Sequence, residues 1–179
     1  MDYAQLLASA LNDIRQADFT ALRHAYTHTP HYNPYRSGAP DAELIDLMRA
    51  ENWSAAVARC ERLLADDYMH APLHLTLSYI YQQLEDEGRA AWHLQFARGL
   101  IGSLLGSGDG RSPQTAFKVI TVREEYEMLR ALSLESLGQR LIAQDGRYFD
   151  VLTVRDGSGA EGEVFFEVTD IIRHAKNNI

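Results

Sequence analysis

Histidine is the residue type in this sequence with the most chemistry to offer. His24, His28 and His31 follow the pattern HxxxHxxH, and His70 and His74 repeat the four-residue interval. Two histidines one helical turn apart can hold a transition metal, as zinc proteases show. Two features count against that here. The glutamate that accompanies such a pair is missing, since Ala25 follows His24. Proline also interrupts the helices: Thr29-Pro30 ends one before His31, and Pro72 falls between His70 and His74. No metal and no cofactor are expected. His24 and His28 read as surface residues, and His74 and His93 as hydrogen-bonded side chains near a packing surface.

Other reactive groups lack company. Gly108-Asp109-Gly110 could turn backbone N–H groups toward an anion, because glycine permits the conformations required. A phosphate-binding loop, however, needs a lysine and a preceding strand, and here a helix precedes. Asp109 and Arg111 are read instead as holding a junction between two layers. Ser112 has no base near it in sequence to make it a nucleophile. Glu124 and Glu125 are adjacent, and neighbours on a helix do not face each other. The single cysteine, Cys60, excludes an intramolecular disulfide and sits among apolar residues like a small buried hydrophobe. None of these groupings amounts to an enzyme signature.

The elements that position these residues follow from periodicity and caps. Tyr3, Leu6, Leu7, Ala10, Leu11 and Ile14 recur at helical spacing and predict a helix over residues 3–16. Asp18 is placed to cap a second. Residues 29–40 (TPHYNPYRSGAP) hold three of the five prolines and two of the nine tyrosines. They predict an extended loop pinned by Tyr32 and Tyr35. From Asp41 to Leu105 the sequence reads as two copies of a helix-turn-helix unit. Asp41 caps the first helix, Asn52-Trp53 turns, and Ser54 caps the next. The small pairs Ala55-Ala56 and Ala90-Ala91 recur at close to the ~34-residue tetratricopeptide period. GSGDG at 106–110 breaks the chain. Beyond it come a strand over 116–122, a helix from Arg123 whose N-terminus Thr121 and Glu124 would box, and strands over 134–143, 147–154 and 163–168. Asp145-Gly146 is a strong hairpin signal. The tail over residues 171–179 reads as a short helix or as a frayed end. The expected fold is α+β: tetratricopeptide-like helical hairpins over 1–106 packed, as one unit, on a four-stranded antiparallel sheet over 107–179. The helical region is expected to cover the sheet's apolar face.

Composition narrows the function classes. At 179 residues, 46% hydrophobic and 23% charged, this is an ordinary globular composition with room for one good core or two small ones sharing an interface. No apolar run reaches the roughly 18 residues of a membrane span. Asp2 stands where an export signal wants a positive charge, so a cytoplasmic protein is expected. A net charge of −8 is the wrong sign for a nucleic-acid footprint and favours a basic partner.

A set of local motifs, taken together, is similar to a known family. Tyr32-Asn33-Pro34-Tyr35 precedes the helical repeat; Gly108-Asp109-Gly110 is followed by Ser112, Ala116-Phe117 and Val119-Ile120, then Glu124-Glu125-Tyr126; Gln139, Leu141-Ile142 and Val164-Phe165-Phe166 close the pattern. Over roughly residues 18–170 the chain resembles the bacterial family called domain of unknown function four-nine-one-nine. The resemblance implies a helical-repeat plus sheet domain and carries no activity with it.

Three functional readings follow. The leading one is a non-enzymatic module that binds a protein or peptide, in one version an acidic immunity-type partner of a basic toxin. The candidate binding residues are Tyr32, Asn33, Tyr35, His74, His93, Asp109, Arg111 and Ser112. The alternative is a small enzyme or metal-binding protein with its site where the Asn33-Pro34-Tyr35 loop meets the Gly108–Ser112 junction. The third is a structural subunit that pairs with its own copy.

Overall fold

The computed structural model describes residues 1–36 and 41–177. The last four residues of the proline-rich loop and the last two of the terminal tail lie outside them. The chain divides into two compact units, Met1–Tyr32 with Gly38–Ser103, and Asn33–Ser37 with Leu104–Ile179.

The first unit is helical. Helix α1 (Tyr3–Asn12) opens with a capping box: Asp2 accepts the Gln5 N–H at 2.9 Å, and the Gln5 side chain accepts the Asp2 N–H at 3.1 Å. It stops short of the expected residue 16 because the Asp13 carboxylate takes the Arg15 N–H and starts a separate 3-10 turn, Ile14–Gln16. Asp18 caps α2 (Phe19–Tyr26) through the Ala21 N–H. Asp41 caps α3 (Ala42–Arg49) through the Leu44 N–H at 2.8 Å. The same carboxylate pairs with Arg59 of α4 (Trp53–Asp66) at 2.6 Å, so one side chain starts α3 and ties it to α4. Asn52, rather than Ser54, caps α4: its Oδ1 accepts from Ala55 N–H, and Ser54 lies inside the helix. The left-handed residue that breaks α3 from α4 is Glu51, at φ 54°.

Helix α5 (Ala71–Gln83) is capped by His70, with Pro72 in its first turn where the missing N–H costs nothing. Helix α6 (Glu87–Leu105) follows a short turn. Cys60, Leu64, Leu77, Ile80 and Ala90 form the centre of the α3–α6 core. Each large side chain buried there contributes roughly 1.5–3 kcal/mol. Helices α2 and α6 meet closely at Gly99, where a Cβ would fall 2.1 Å from the Phe19 ring.

The second unit is a sheet with helices on it. Its elements are β1 (Phe117–Lys118), α7 (Val122–Ala131), β2 (Glu135–Gln144), β3 (Arg147–Arg155), β4 (Glu161–Glu167) and α8 (Thr169–Asn177). The strand order is β1-β4-β3-β2. Strands β2, β3 and β4 form the expected antiparallel meander, turned at Asp145-Gly146 with positive φ at both residues. The expectation of a wholly antiparallel sheet is wrong at one edge, because β1 pairs with β4 in parallel, Phe117 opposite Phe166. The chain leaves β1 through α7 and the hairpin before the last strand returns beside it. β1 is also much shorter than the apolar run around it. The Ile120 N–H goes to the Glu124 carboxylate at 2.7 Å and the Val122 N–H to the Pro34 carbonyl at 3.0 Å, which takes both out of the ladder.

The sheet's apolar face was expected to depend on the helical region for cover. It has cover in its own unit: Met128 and Leu129 of α7 and Ile171 of α8 pack with Leu152, Val154 and Phe166. Among the described residues, no helix is long and apolar enough to cross a membrane.

Candidate functional site

The first unit brings two histidines together across 19 residues of sequence. The His70 cap starts α5, which carries His74 a turn further on into full burial. His93 sits on α6, half-buried, and its Nδ1 lies 3.0 Å from His74 Nδ1. His74 Nε2 lies 3.0 Å from the Tyr68 backbone carbonyl.

These contacts determine where the protons are. A carbonyl only accepts, so His74 Nε2 carries a hydrogen. Burial above all lowers the His74 pKa to about 4, so at neutral pH the ring has one hydrogen and its Nδ1 is bare. The facing Nδ1 of His93 must therefore donate. Burial first, then the nearby Arg89 charge, lowers His93 to about 4 as well. His93 is left with an unprotonated Nε2 that has no partner among the described residues. A single chain of donors thus runs from His93 through His74 to the Tyr68 carbonyl and selects one tautomer at each ring. Packing holds the ring planes: Tyr81 stacks on His93 at 5.5 Å, and Phe96 lies 4.5 Å from His74.

His93 lines an open cleft of about 490 Å³. Its apolar walls come from Leu11 of α1, Leu64 and Ala65 of α4 and Leu77 of α5; Tyr68 and Trp92 supply aromatic surface. Leu11 is half exposed, an apolar side chain spent on the cleft wall rather than the core. Glu61, on α4, is exposed at the same cleft and makes no hydrogen bond or ion pair among the described residues. No lysine or arginine lines it. The arrangement offers a ligand a hydrophobic wall, one imidazole acceptor and one carboxylate.

The other residues singled out above lie as follows. Tyr32 is buried edge-on against Tyr26, 5.8 Å between centroids, so it pins the loop as expected. Tyr35, expected to do the same, is 55% exposed. Asn33 caps its own turn, its Oδ1 accepting the Tyr35 N–H at 3.1 Å. Between them Pro34 is buried and accepts from Val122, which attaches this loop to the start of α7. The Asp109 and Gly110 N–H groups both point at the Thr115 carbonyl, at 2.9 and 2.8 Å, so the loop cradles the chain's own backbone instead of an anion. The Asp109 carboxylate accepts the Arg111 N–H, and the hydroxyls of Ser112 and Thr115 pair at 3.1 Å. Gly108 and Gly110 have no room for a side chain: a Cβ would lie 2.3 Å from the Thr115 oxygen and 2.6 Å from the Phe117 ring, respectively. His24, His28 and His31 are exposed, with the first two in edge contact at 5.1 Å. Among the described residues no three metal-binding side chains converge. Cys60 is fully buried, and burial pushes its thiol up to about 12.

A family model described as "Domain of unknown function (DUF4919)" matches residues 3–177. The chain belongs to that family. The match extends past the motif-bearing stretch at both ends, taking in α1 and α8. Comparison with curated proteins and with solved structures gave no match. The DUF4919 match brings no chemistry with it, so the chemistry rests on the residues themselves.

One further group, set aside in sequence as half of an adjacent carboxylate pair, stands apart from its neighbour in the structure. Glu125 of α7 is fully buried, and neither carboxylate oxygen has a hydrogen-bond partner. Burial first, then the charges of Asp150 and Glu124, push its pKa up to about 8. Asp150 on β3 is also raised by burial, although the Gln139 amide donates to it at 2.7 Å. Tyr126 in turn donates to the Gln139 carbonyl oxygen at 3.3 Å. The adjacent Glu124 behaves quite differently, spending its carboxylate on the Ile120 N–H. Spacing could have found this: Glu125 lies three and four residues before the buried Met128 and Leu129, on the apolar stripe of α7.

Proposed function

We propose that this chain is a binding module and that it holds a peptide segment of a partner protein in the cleft bounded by α1, α4, α5 and α6. The observation that carries the reading is the His93–His74–Tyr68 chain of hydrogen bonds at an apolar, aromatic-walled cleft. One fully buried and one half-buried imidazole cost desolvation, and here they orient a single acceptor on a ring that lines a solvent-open space. With its pKa near 4, His93 is poorly matched to proton abstraction at neutral pH, where catalytic bases work near 7. It is well matched to accepting a hydrogen bond from a bound donor.

The helices support a repeat reading of the same region. α4 and α6 begin at Trp53 and Glu87, the tetratricopeptide period of ~34 residues, although α3 and α5 begin closer together, at Ala42 and Ala71. Paired helices of this kind present grooves to peptides. The net charge of −8 would steer a basic partner toward them.

The test is selection from a random peptide library against the full chain, followed by binding to Ala65→Trp. Ala65 is exposed at the cleft, so the indole fills the space without disturbing the core. Selected peptides should lose at least tenfold in affinity for the variant. Peptides that bind both proteins equally would place recognition elsewhere and sink the proposal.

A further inference from the structure

We infer that the cleft's preferred occupant is an arginine side chain of a basic peptide; this rests on the peptide-binding reading above and names its specificity. The class of ligand follows from the uncommitted polar groups on the residues that line the cleft. Glu61 brings a full negative charge with no partner among the described residues, and His93 brings the bare Nε2 derived above. Both accept. The hydroxyl of Tyr68 has no hydrogen bond among the described residues and can accept as well. The one obligate donor on the lining is the Trp92 indole N–H. A ligand that matches this surface therefore carries positive charge and several N–H donors.

Shape then decides between the two basic side chains. A guanidinium is planar, presents five N–H donors and stacks on aromatic faces, whereas an ammonium is a compact and strongly hydrated point charge. The cleft supplies aromatic surface in Tyr68 and Trp92, and Trp92 is held in place by stacking on Phe96 at 5.2 Å. The aliphatic wall of Leu11, Leu64 and Leu77 suits the methylene stem of arginine. Arg89, the cation whose charge acts on His93, is engaged by Asp86 at 2.6 Å and lies over the Tyr81 ring, so it is not available to fill the cleft. The same chain already shows the pairing in Arg89 on Tyr81: a guanidinium held by a carboxylate over an aromatic ring.

The test uses the full chain and four blocked pentapeptides, Ala-Ala-Xaa-Ala-Ala, in which Xaa is arginine, lysine, leucine or citrulline. Citrulline keeps the planar shape of arginine and removes its charge. Binding is read from tryptophan fluorescence and from amide chemical shifts of residues 61–68 and 92–93. The arginine peptide should bind most tightly, at least fivefold better than citrulline. Glu61→Gln should erase that preference, while Asp46→Asn, which removes the same charge from α3 outside the cleft, should leave it. If lysine matches arginine, or Asp46→Asn acts like Glu61→Gln, the guanidinium assignment is overturned in favour of general charge attraction. If leucine or citrulline binds the same residues as well as arginine does, the arginine assignment falls while the peptide cleft stands. If no peptide shifts those residues, both fall.

Discussion

Replacing Glu125 by glutamine should stabilise this protein at neutral pH, by an amount that depends on pH in a defined way. The side chain is fully buried with both oxygens unpartnered, and its pKa is raised from 4.5 to about 8. Below pH 4.5 the carboxyl is protonated in the folded and the unfolded chain alike, and its full contribution to stability is present. As pH rises from 4.5 to about 8, the unfolded chain ionises while the folded one must keep its proton, so stability is lost. One pKa unit corresponds to ~1.4 kcal/mol, so the loss is about 3 kcal/mol at pH 7 and about 5 kcal/mol above pH 8. Glutamine has nearly the same shape and never ionises. Urea unfolding of both proteins at pH 4, 5, 6, 7 and 8 gives the difference in stability at each point. Between pH 5 and about 8 glutamine should gain on glutamate by about 1.4 kcal/mol per unit. The absolute offset depends on how the buried amide is accommodated, but the slope does not. A difference that stays flat across this range would refute the reasoning, because it would mean that Glu125 is ionised and solvated in the folded protein.

The remaining predictions concern the histidines and the turns. Long-range ¹⁵N correlation spectra at pH 7 should show His74 protonated at Nε2 and His93 at Nδ1, with both rings resisting protonation down to about pH 4; titration of either near 6.5 would contradict the hydrogen-bond chain. Because both folded pKa values lie below the ordinary 6.5, the stability these rings contribute is complete above that value and falls as pH drops from 6.5 toward 4; His74→Gln should flatten this acid slope in urea unfolding. Gly110→Ala should lower stability by roughly 2 kcal/mol or more, since φ is +69° and the new methyl meets the Phe117 ring; an unchanged unfolding midpoint would show that the loop rearranges. Arg140→Ala, which removes an exposed ion pair to Glu163 between strands, should leave the midpoint within error.

What sequence could and could not reveal divides along physical lines. Local devices were legible because their chemistry is contained within a few residues. Asp18, Asp41 and Thr121 cap the helices that their positions called for, and Asp145-Gly146 makes the hairpin. Errors arose where a backbone group had two possible partners. Asn52 outcompetes Ser54 as a cap, and Glu124 reaches past the expected Thr121 amide to the amide of Ile120, which shortens β1. The parallel pairing of β1 with β4 joins residues nearly fifty apart and leaves no local signature. The His74–His93 contact is similarly non-local. Each ring could be suspected of lying near a packing surface of the helical region, but only the fold shows that the two share a hydrogen bond.

Glu125 and the His74–His93 pair are both held neutral at pH 7 by burial, and the difference between them bears on function. Glu125 is kept protonated with no partner for either oxygen, in a core that leucine or glutamine would fill at lower cost. Nothing about its surroundings orients it toward solvent, and its largest consequence is for stability. The histidine pair is the reverse case. Every nitrogen of His74 is satisfied, one nitrogen of His93 is satisfied by His74, and the remaining nitrogen belongs to a ring that borders an open cleft. A phenylalanine at position 74 would pack among Tyr68, Trp92 and Phe96 without the desolvation cost. The polar choice at that position makes physical sense if its product is the tautomer of His93. That is the reason for assigning recognition to the cleft of the first unit and not to the carboxylates of the second.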